Sequence, residues 1–287
     1  MLRSQRALSN CGCSVYPETP WKGMNGVYWL EQTEADVPVE DSWLSAGEAV
    51  LLNGLRFAKR RADWRVGRWT AKRALMMYLE VLGRPQTIAD IEIRAGSSGA
   101  PEVFFSDKPA GVRISLSHRA GAAICALAPS HVAVGCDLEL IERRSEAFLA
   151  DYLTTQEQAL VIQTSWADRP RLSTLIWSAK ESALKALGVG LRLDTRCVEV
   201  SFQVPWKESG GGDRRFDNAA FGSPPAYGPN RWCPLQVCYI KNQVFSGWWQ
   251  YMGNFLRTLV AAPPPPLPTL LQSSDVLAHS KYVESKF

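Results

Sequence analysis

Helical patterning followed by strand patterning occurs twice in this chain, and that repeated order constrains the fold more than any other feature. In the first pass Ser45 can cap a helix running through Glu48 and Leu52. Trp64 to Leu82 then carries Trp69, Leu75, Met76, Leu79 and Leu82 near helical spacing. Gly83-Arg84-Pro85 supplies a stop. After a first strand at Gly26–Leu30, extended runs at Ile91–Arg94, Val103–Phe105, Val112–Leu116, Ala122–Leu127 and Val132–Asp137 predict one antiparallel sheet. The second pass has helical segments near Glu146–Tyr152, Gln156–Ser165 and Pro170–Leu187, with Gly188 as terminator. Strand-like runs follow at Cys197–Val204, Trp232–Tyr239, Val244–Tyr251 and Phe255–Ala261. The expectation is an α+β protein built as a pseudo-twofold pair of similar α+β halves. No residue-level identity between the halves is visible, so this duplication rests on the order of elements alone.

The expected boundaries are a flexible leader over 1–24, a first half over 25–130 and a second half over 131–262. Within the second half, the Gly- and Pro-rich stretch 206–231 reads as a long surface loop, and 263–287 as a disordered proline-rich tail. At 287 residues and 46% hydrophobic content the chain can bury a full core. No apolar run approaches the roughly 20 residues of a membrane-spanning helix. The basic residues near Met1 lack the apolar segment of a secretory signal, so the expected compartment is the cytoplasm. Seven cysteines argue against a disulfide scaffold, since Cys125, Cys136, Cys197 and Cys238 sit in strand-like apolar surroundings. Cys11 and Cys13 form a C-x-C, but three histidines elsewhere supply no second half for a zinc site.

The chemistry-bearing residues cluster in the second half. In the apolar run His131–Leu140, Asp137 and Glu139 are two apart, so an extended strand projects both carboxylates from one face. They could be ordinary solvent-facing acids, but a buried strand ending in two same-side acids needs a cation, and magnesium takes carboxylate oxygens readily. Glu181 and Lys185 share a helical face with Trp177 one turn earlier. They read either as an exposed ion pair or as an acid and a base beside the core stripe. Glu157 stands three residues after Thr154, where a capping box alone would explain it. Ser117, His118 and Arg119 end an alternating strand with donors suited to a phosphate. The net charge is only +4, yet Arg56, Lys59, Arg60, Arg61, Arg65, Arg68, Lys72 and Arg73 face a single Asp63 between them. That surplus suits an anionic ligand or partner, a solvated helix face or a nucleic-acid patch.

Together, Gly135-x-Asp137-x-Glu139 and Trp177-Ser178-x-Lys180-Glu181-Ser182-x-x-Lys185 resemble the two signatures of the Sfp-type 4'-phosphopantetheinyl transferases. The Ser115-Leu-Ser117-His118 strand end, the Gly99-Ala100-Pro101 turn and the Arg65–Arg73 segment are also family-like, so the resemblance spans about residues 26–262. It implies coenzyme A bound at the junction of the halves, with magnesium on its pyrophosphate. By motif position, Asp137, Glu139 and Glu181 would be magnesium ligands, Glu181 being assigned as base in some members. Lys180 and Lys185 would contact the pyrophosphate, and Ser117 and His118 the 3'-phosphate end. Arg61, Arg68 and Lys72 would be further cofactor contacts, and Glu157 falls where some members place a general base. Members often have Lys where this chain has Ala100, which leaves that cofactor contact missing or supplied by another residue.

The implied activity is magnesium-dependent transfer of the phosphopantetheine arm to a serine of an apo acyl or peptidyl carrier protein, releasing 3',5'-ADP. Two halves in one chain would let a monomer form a complete site. The competing class is a magnesium-dependent nucleic-acid-binding or nuclease protein using the same acids and basic run, but no recognisable base-stacking module accompanies them. The expectation is therefore an enzyme with no nucleic-acid partner and no membrane span.

Overall fold

A computed structural model describes residues 26–82, 86–201 and 231–272. The expected leader over 1–24, the Gly83–Pro85 stop, nearly all of the 206–231 loop and the end of the tail lie outside the described residues. In chain order the elements are β1 (Tyr28–Thr33), α1 (Ala46–Gly54), α2 (Ala58–Val81), β2 (Ile91–Ala95), β3 (Pro101–Phe105), β4 (Lys108–Arg119) and β5 (Ala122–Pro129). There follow β6 (Ala133–Leu140), α3 (Glu146–Tyr152), α4 (Thr155–Gln163), α5 (Arg169–Ala186), β7 (Val198–Ser201), β8 (Cys233–Tyr239), β9 (Gln243–Met252), β10 (Phe255–Ala262) and β11 (Thr269–Leu270). The α+β class is thus observed.

The strands form two sheets with the same internal order. The first runs β1-β5-β4-β3-β2 with β11 added beside β1, and the second runs β6-β10-β9-β8-β7. Each half therefore puts its first strand at one side, next to its last, and reads backwards from there. A long helix covers each sheet. Ala71, Leu75, Tyr78 and Leu79 of α2 bury against Ile91, Ile93, Ile114 and Leu127, while Ile176, Ala179, Ala183 and Leu184 of α5 bury against Val198, Val237, Phe245 and Val260. A third apolar cluster joins the halves, with Trp29, Ile124 and Ala126 meeting Cys136, Leu138 and Leu259. Such burial is worth about 1.5–3 kcal/mol per large side chain. Arg257 of β10 reinforces the junction by forking onto the Glu31 carboxylate of β1, with its guanidinium also over Trp29.

Two expectations are corrected here. The run Val132–Asp137 does not complete the first sheet, because β6 pairs with β10, Asp137 opposite Thr258, and heads the second. An apolar strand carries no mark of which partner it will choose. The tail does not begin at residue 263 either, since Thr269 and Leu270 pair in parallel with Tyr28 and Trp29, and Leu271 is buried in the first core. Four prolines in a row hid this strand, because proline marks an extended segment without saying whether something pairs beyond it.

The duplication is also visible residue by residue. Ser45 caps α1 in a capping box with Glu48, whose Oε1 accepts from the Ile93 amide of β2 at 3.0 Å and whose Oε2 accepts from Lys72 Nζ at 2.5 Å. Thr154 caps α4 in a capping box with Glu157, whose Oε1 accepts from the Val200 amide of β7 at 2.9 Å and whose Oε2 lies 2.8 Å from Lys180 Nζ. Both lysines are fully buried. Trp69-Thr-Ala-Lys72 of α2 therefore corresponds to Trp177-Ser-Ala-Lys180 of α5. The sequence did hold a residue-level repeat, but its four members are scattered over each half and only the fold brings them together.

Candidate active site

The site grows from the contact of α5 with β6. Gly135 permits it, since a Cβ there would stand 1.8 Å from the Ser182 carbonyl oxygen, a distance no side chain can occupy. With the helix that close, Lys185 Nζ donates to Asp137 Oδ1 at 2.7 Å and to the Cys136 carbonyl at 3.1 Å. From β4, Ser117 Oγ donates to the same carboxylate oxygen at 2.8 Å. The other oxygen, Asp137 Oδ2, is buried with no hydrogen-bond partner. Such an atom is normally satisfied, and a buried charge left half-paired calls for a cation or donor.

The neighbouring acids share that strain. Glu139 accepts from Trp177 Nε1 at 3.0 Å and from Arg144 at 3.3 Å, with Arg119 3.5 Å away. Burial and Asp137 push its carboxyl above the usual range, while Arg144, Trp177 and Arg119 pull it back. Glu181 is pushed up to about 7, first by burial and then by Asp137 and Glu139, with Lys185 opposing. Burial works against the Lys185 ammonium, yet Asp137 and Glu181 outweigh it and raise its pKa. Among the described residues no three potential ligands are drawn together as a metal cluster. The donor set nevertheless fits a hard divalent cation, because an unpartnered carboxylate oxygen stands beside two acids whose charged forms are disfavoured by burial and by the charge of neighbouring carboxylates. Asp137 and Glu181 are the freer of the three, and Glu139 is held by Trp177 and Arg144.

A cleft of about 880 Å3 opens from Lys185 between the halves. One wall is the Ser98–Phe104 turn and strand together with β4 residues Arg113 to Leu116, and the other is the Leu187–Arg192 loop after α5. Gly188 shapes that loop, with φ +70° and its amide bonded to the Lys185 carbonyl. A volume of this size suits a nucleotide-like ligand.

Several expected contacts lie elsewhere. Lys180 is enclosed by Glu157 and the Thr195 and Val198 carbonyls, with no face toward the cleft. Glu157 spends both oxygens on Lys180, Val200 and its own helix start, so it is a brace rather than a free base. Lys72 is buried on Glu48 and the Trp43 carbonyl. Arg68 donates to the Ile93 carbonyl at 2.7 Å and Arg61 to the Leu52 carbonyl at 2.7 Å. These four cations satisfy backbone and carboxylate groups of their own half, a demand that charge counting cannot see. His118 is exposed at the end of β4, over α2, where a Cβ on Gly67 would stand 3.9 Å from its ring. Ser117 joins the acid cluster through Asp137. Sequence reading missed Arg144 on Glu139 and Arg113 and Arg192 in the cleft, for lone arginines in loops and strands carry no motif, and Arg119, read there as a phosphate donor, faces Glu139.

Residues 133–222 match the family model of the 4'-phosphopantetheinyl transferase superfamily. The match lies within the second half and covers less than half of the chain. The matched segment contains Asp137, Glu139, Glu181 and Lys185. A crystal structure of Thermotoga maritima holo-[acyl-carrier-protein] synthase is similar over 44% of this chain and 73% of that one, with 21% identity and a TM-score of 0.31. No curated protein sequence matches the chain. No helix among the described residues is long and apolar enough to cross a membrane.

Proposed function

We propose that this protein transfers the 4'-phosphopantetheine arm of coenzyme A to a serine hydroxyl of an apo acyl or peptidyl carrier protein, releasing 3',5'-ADP. The observation that carries this reading is the Asp137 carboxylate, with one oxygen clamped by Ser117 and by Lys185, a residue that lines an 880 Å3 cleft, and the other oxygen buried and unpartnered. The superfamily match over the same residues supports it.

In this reading coenzyme A lies along the cleft with its pyrophosphate at Lys185. The ammonium has three donors, of which Cys136 and Asp137 use two, so one remains for a phosphate oxygen. A bound magnesium, held by Asp137 and Glu181 with Glu139 beside them, would neutralise charge on the pyrophosphate. The carrier serine oxygen forms a bond to the β-phosphorus as the bond from that phosphorus to the bridging oxygen breaks, and 3',5'-ADP departs. Lys185 is placed to stabilise the leaving oxygen. Glu181, with its pKa near 7, is suited to receive the serine proton when it is not serving as ligand. Phosphoryl transfer depends mainly on positioning and charge neutralisation, so no enzyme nucleophile is required.

The nucleic-acid alternative loses its main support, since Arg61, Arg68 and Lys72 of the basic run are turned into their own half. The test is incubation of purified protein with coenzyme A, magnesium chloride and several apo carrier proteins, followed by intact-mass measurement. A gain of one phosphopantetheine on at least one carrier is expected. No gain on any of them would overturn the proposal.

A further inference from the structure

Glu139 belongs to a closed ring of four charges. Arg119 Nε lies 3.5 Å from Glu139 Oε2, and Arg144 Nη2 donates to the same oxygen at 3.3 Å. The two arginines meet again on Glu142, whose Oε1 accepts from Arg119 Nη2 at 2.7 Å and lies 3.1 Å from Arg144 Nη1. Two guanidinium groups thus bridge two carboxylates, and the ring is neutral as a whole. Arg119 ends β4 in the first half, while the other three members belong to β6 and the loop before α3, so the ring also crosses the junction.

Aromatic packing braces this arrangement from the second half. Arg144 lays its guanidinium 4.8 Å from the centre of the Phe148 ring, Phe148 packs edge-on against Trp177, and Trp177 Nε1 donates to Glu139 Oε1 at 3.0 Å. Both oxygens of Glu139 are therefore engaged, one by arginines and one by the indole. The other two acids differ. Asp137 keeps one oxygen buried and unpartnered, and Glu181 has no hydrogen bond or ion pair among the described residues. With the ring balanced on itself, what remains at the cluster is two carboxylates, Asp137 and Glu181, against the single ammonium of Lys185.

We infer that Arg119 is a positioning residue that withholds Glu139 from the divalent cation, so that this chain binds the ion through Asp137 and Glu181 and more loosely than three free carboxylates would. The inference rests on the magnesium reading given above and adds to it the residue that sets the affinity. Loose binding suits a metal that completes its shell with substrate phosphates. Arg119 is also the ring arginine that can be changed with less damage, since its side chain is 40% exposed at a strand end, whereas that of Arg144 is 14% exposed and packed on Phe148.

Manganese binding by the purified full chain, followed through the electron paramagnetic resonance signal of the free ion, tests this without substrate or carrier. Arg119→Met, which keeps the apolar stem, is expected to bind manganese about fivefold more tightly than wild type, and Arg119→Lys, which keeps the charge, to return most of the way to the wild-type value. Asp137→Asn should abolish binding, which assigns the signal to this cluster. In a Glu139→Gln background the Arg119→Met change should alter affinity by less than about twofold, because the acid it would free is gone. A gain that persists there would show a general charge effect and overturn the inference. So would unchanged or weaker binding in Arg119→Met, binding that survives Asp137→Asn, or no binding by wild type and Arg119→Met alike. Circular dichroism of the same samples checks folding. Should Arg119→Met not fold, Glu142→Gln serves with the opposite sign: it leaves both arginines to Glu139 and should weaken manganese binding, and unchanged or tighter binding counts against the inference. Mass gain on a carrier decides the transferase reading separately. Transfer with no affinity change in Arg119→Met sinks only the inference, and the expected manganese pattern without transfer on any carrier sinks only that reading.

Discussion

Lys185 Nζ sits 2.7 Å from Asp137 Oδ1 and binds the carbonyl of the preceding residue as well, so one lysine fixes both the side chain and the backbone of the strand that carries the acids. This ties the last turns of α5 to β6 and makes the position of Asp137 a property of the helix. Asp137→Asn is expected to reduce transfer at least a hundredfold, because an amide supplies neither the charge nor the second anionic oxygen. The fold should persist, since Ser117 and the Cys136 carbonyl still receive partners. Intact-mass assay of a carrier alongside circular dichroism checks both; near-normal turnover would remove Asp137 from the machinery.

Glu181 gives a pH-dependent signature. Its carboxyl titrates near 7 in the folded protein against an ordinary value of 4.5. Below the lower value both states hold the proton. As pH rises toward 7 the unfolded chain releases it first, so the folded state loses stability over that window. Glu181→Gln does not titrate. In chelator, its melting temperature should therefore match wild type near pH 4.5 and exceed it by pH 8, by an amount equivalent to about 1–3 kcal/mol. Added magnesium should narrow the gap. A difference that does not change with pH would show that the strain on this acid is absent.

How far the sequence spoke depended on whether a residue's role was local. The capping boxes at Ser45 and Thr154, the glycine stop at Gly188 and the shared face of Asp137 and Glu139 depend on neighbours within a turn or two, and they stand in the structure as the spacing implied. Lys180 and Glu181 are adjacent in one motif, yet one is enclosed by Glu157 and the other lies in the acid cluster. A helix turns about 100° per residue, and the motif does not say which side the next element will cover. The basic run suffered the same ambiguity. Lys72 pairs with Glu48 across a gap of 24 residues, and no local pattern announces a buried partner at that range.

The matched braces make their own prediction. Glu157→Ala leaves the Lys180 ammonium buried without its counter-charge, and Glu48→Ala does the same to Lys72. Each should cost about 3–5 kcal/mol of stability, measured by urea unfolding. Glu157→Gln keeps the hydrogen-bonding shape and should retain transfer within several-fold at low temperature, whereas a base at this position would lose it by orders of magnitude. That outcome separates a brace from a proton acceptor.

Gly135 sets the distance on which everything at the acid cluster depends. A methyl group there meets the Ser182 carbonyl at 1.8 Å and the Ala186 amide nitrogen at 2.8 Å, both backbone atoms that cannot rotate away. Gly135→Ala must therefore push α5 off β6. Lys185 is carried by that helix and Asp137 by that strand, so even a shift of about 1 Å breaks a 2.7 Å hydrogen bond. The expected result is a lowered melting temperature together with a loss of transfer larger than the unfolded fraction explains. Thermal melts and mass-gain rates measured on the same samples check it. A variant that melts and turns over like wild type would mean that the helix and strand do not approach as closely as this site requires.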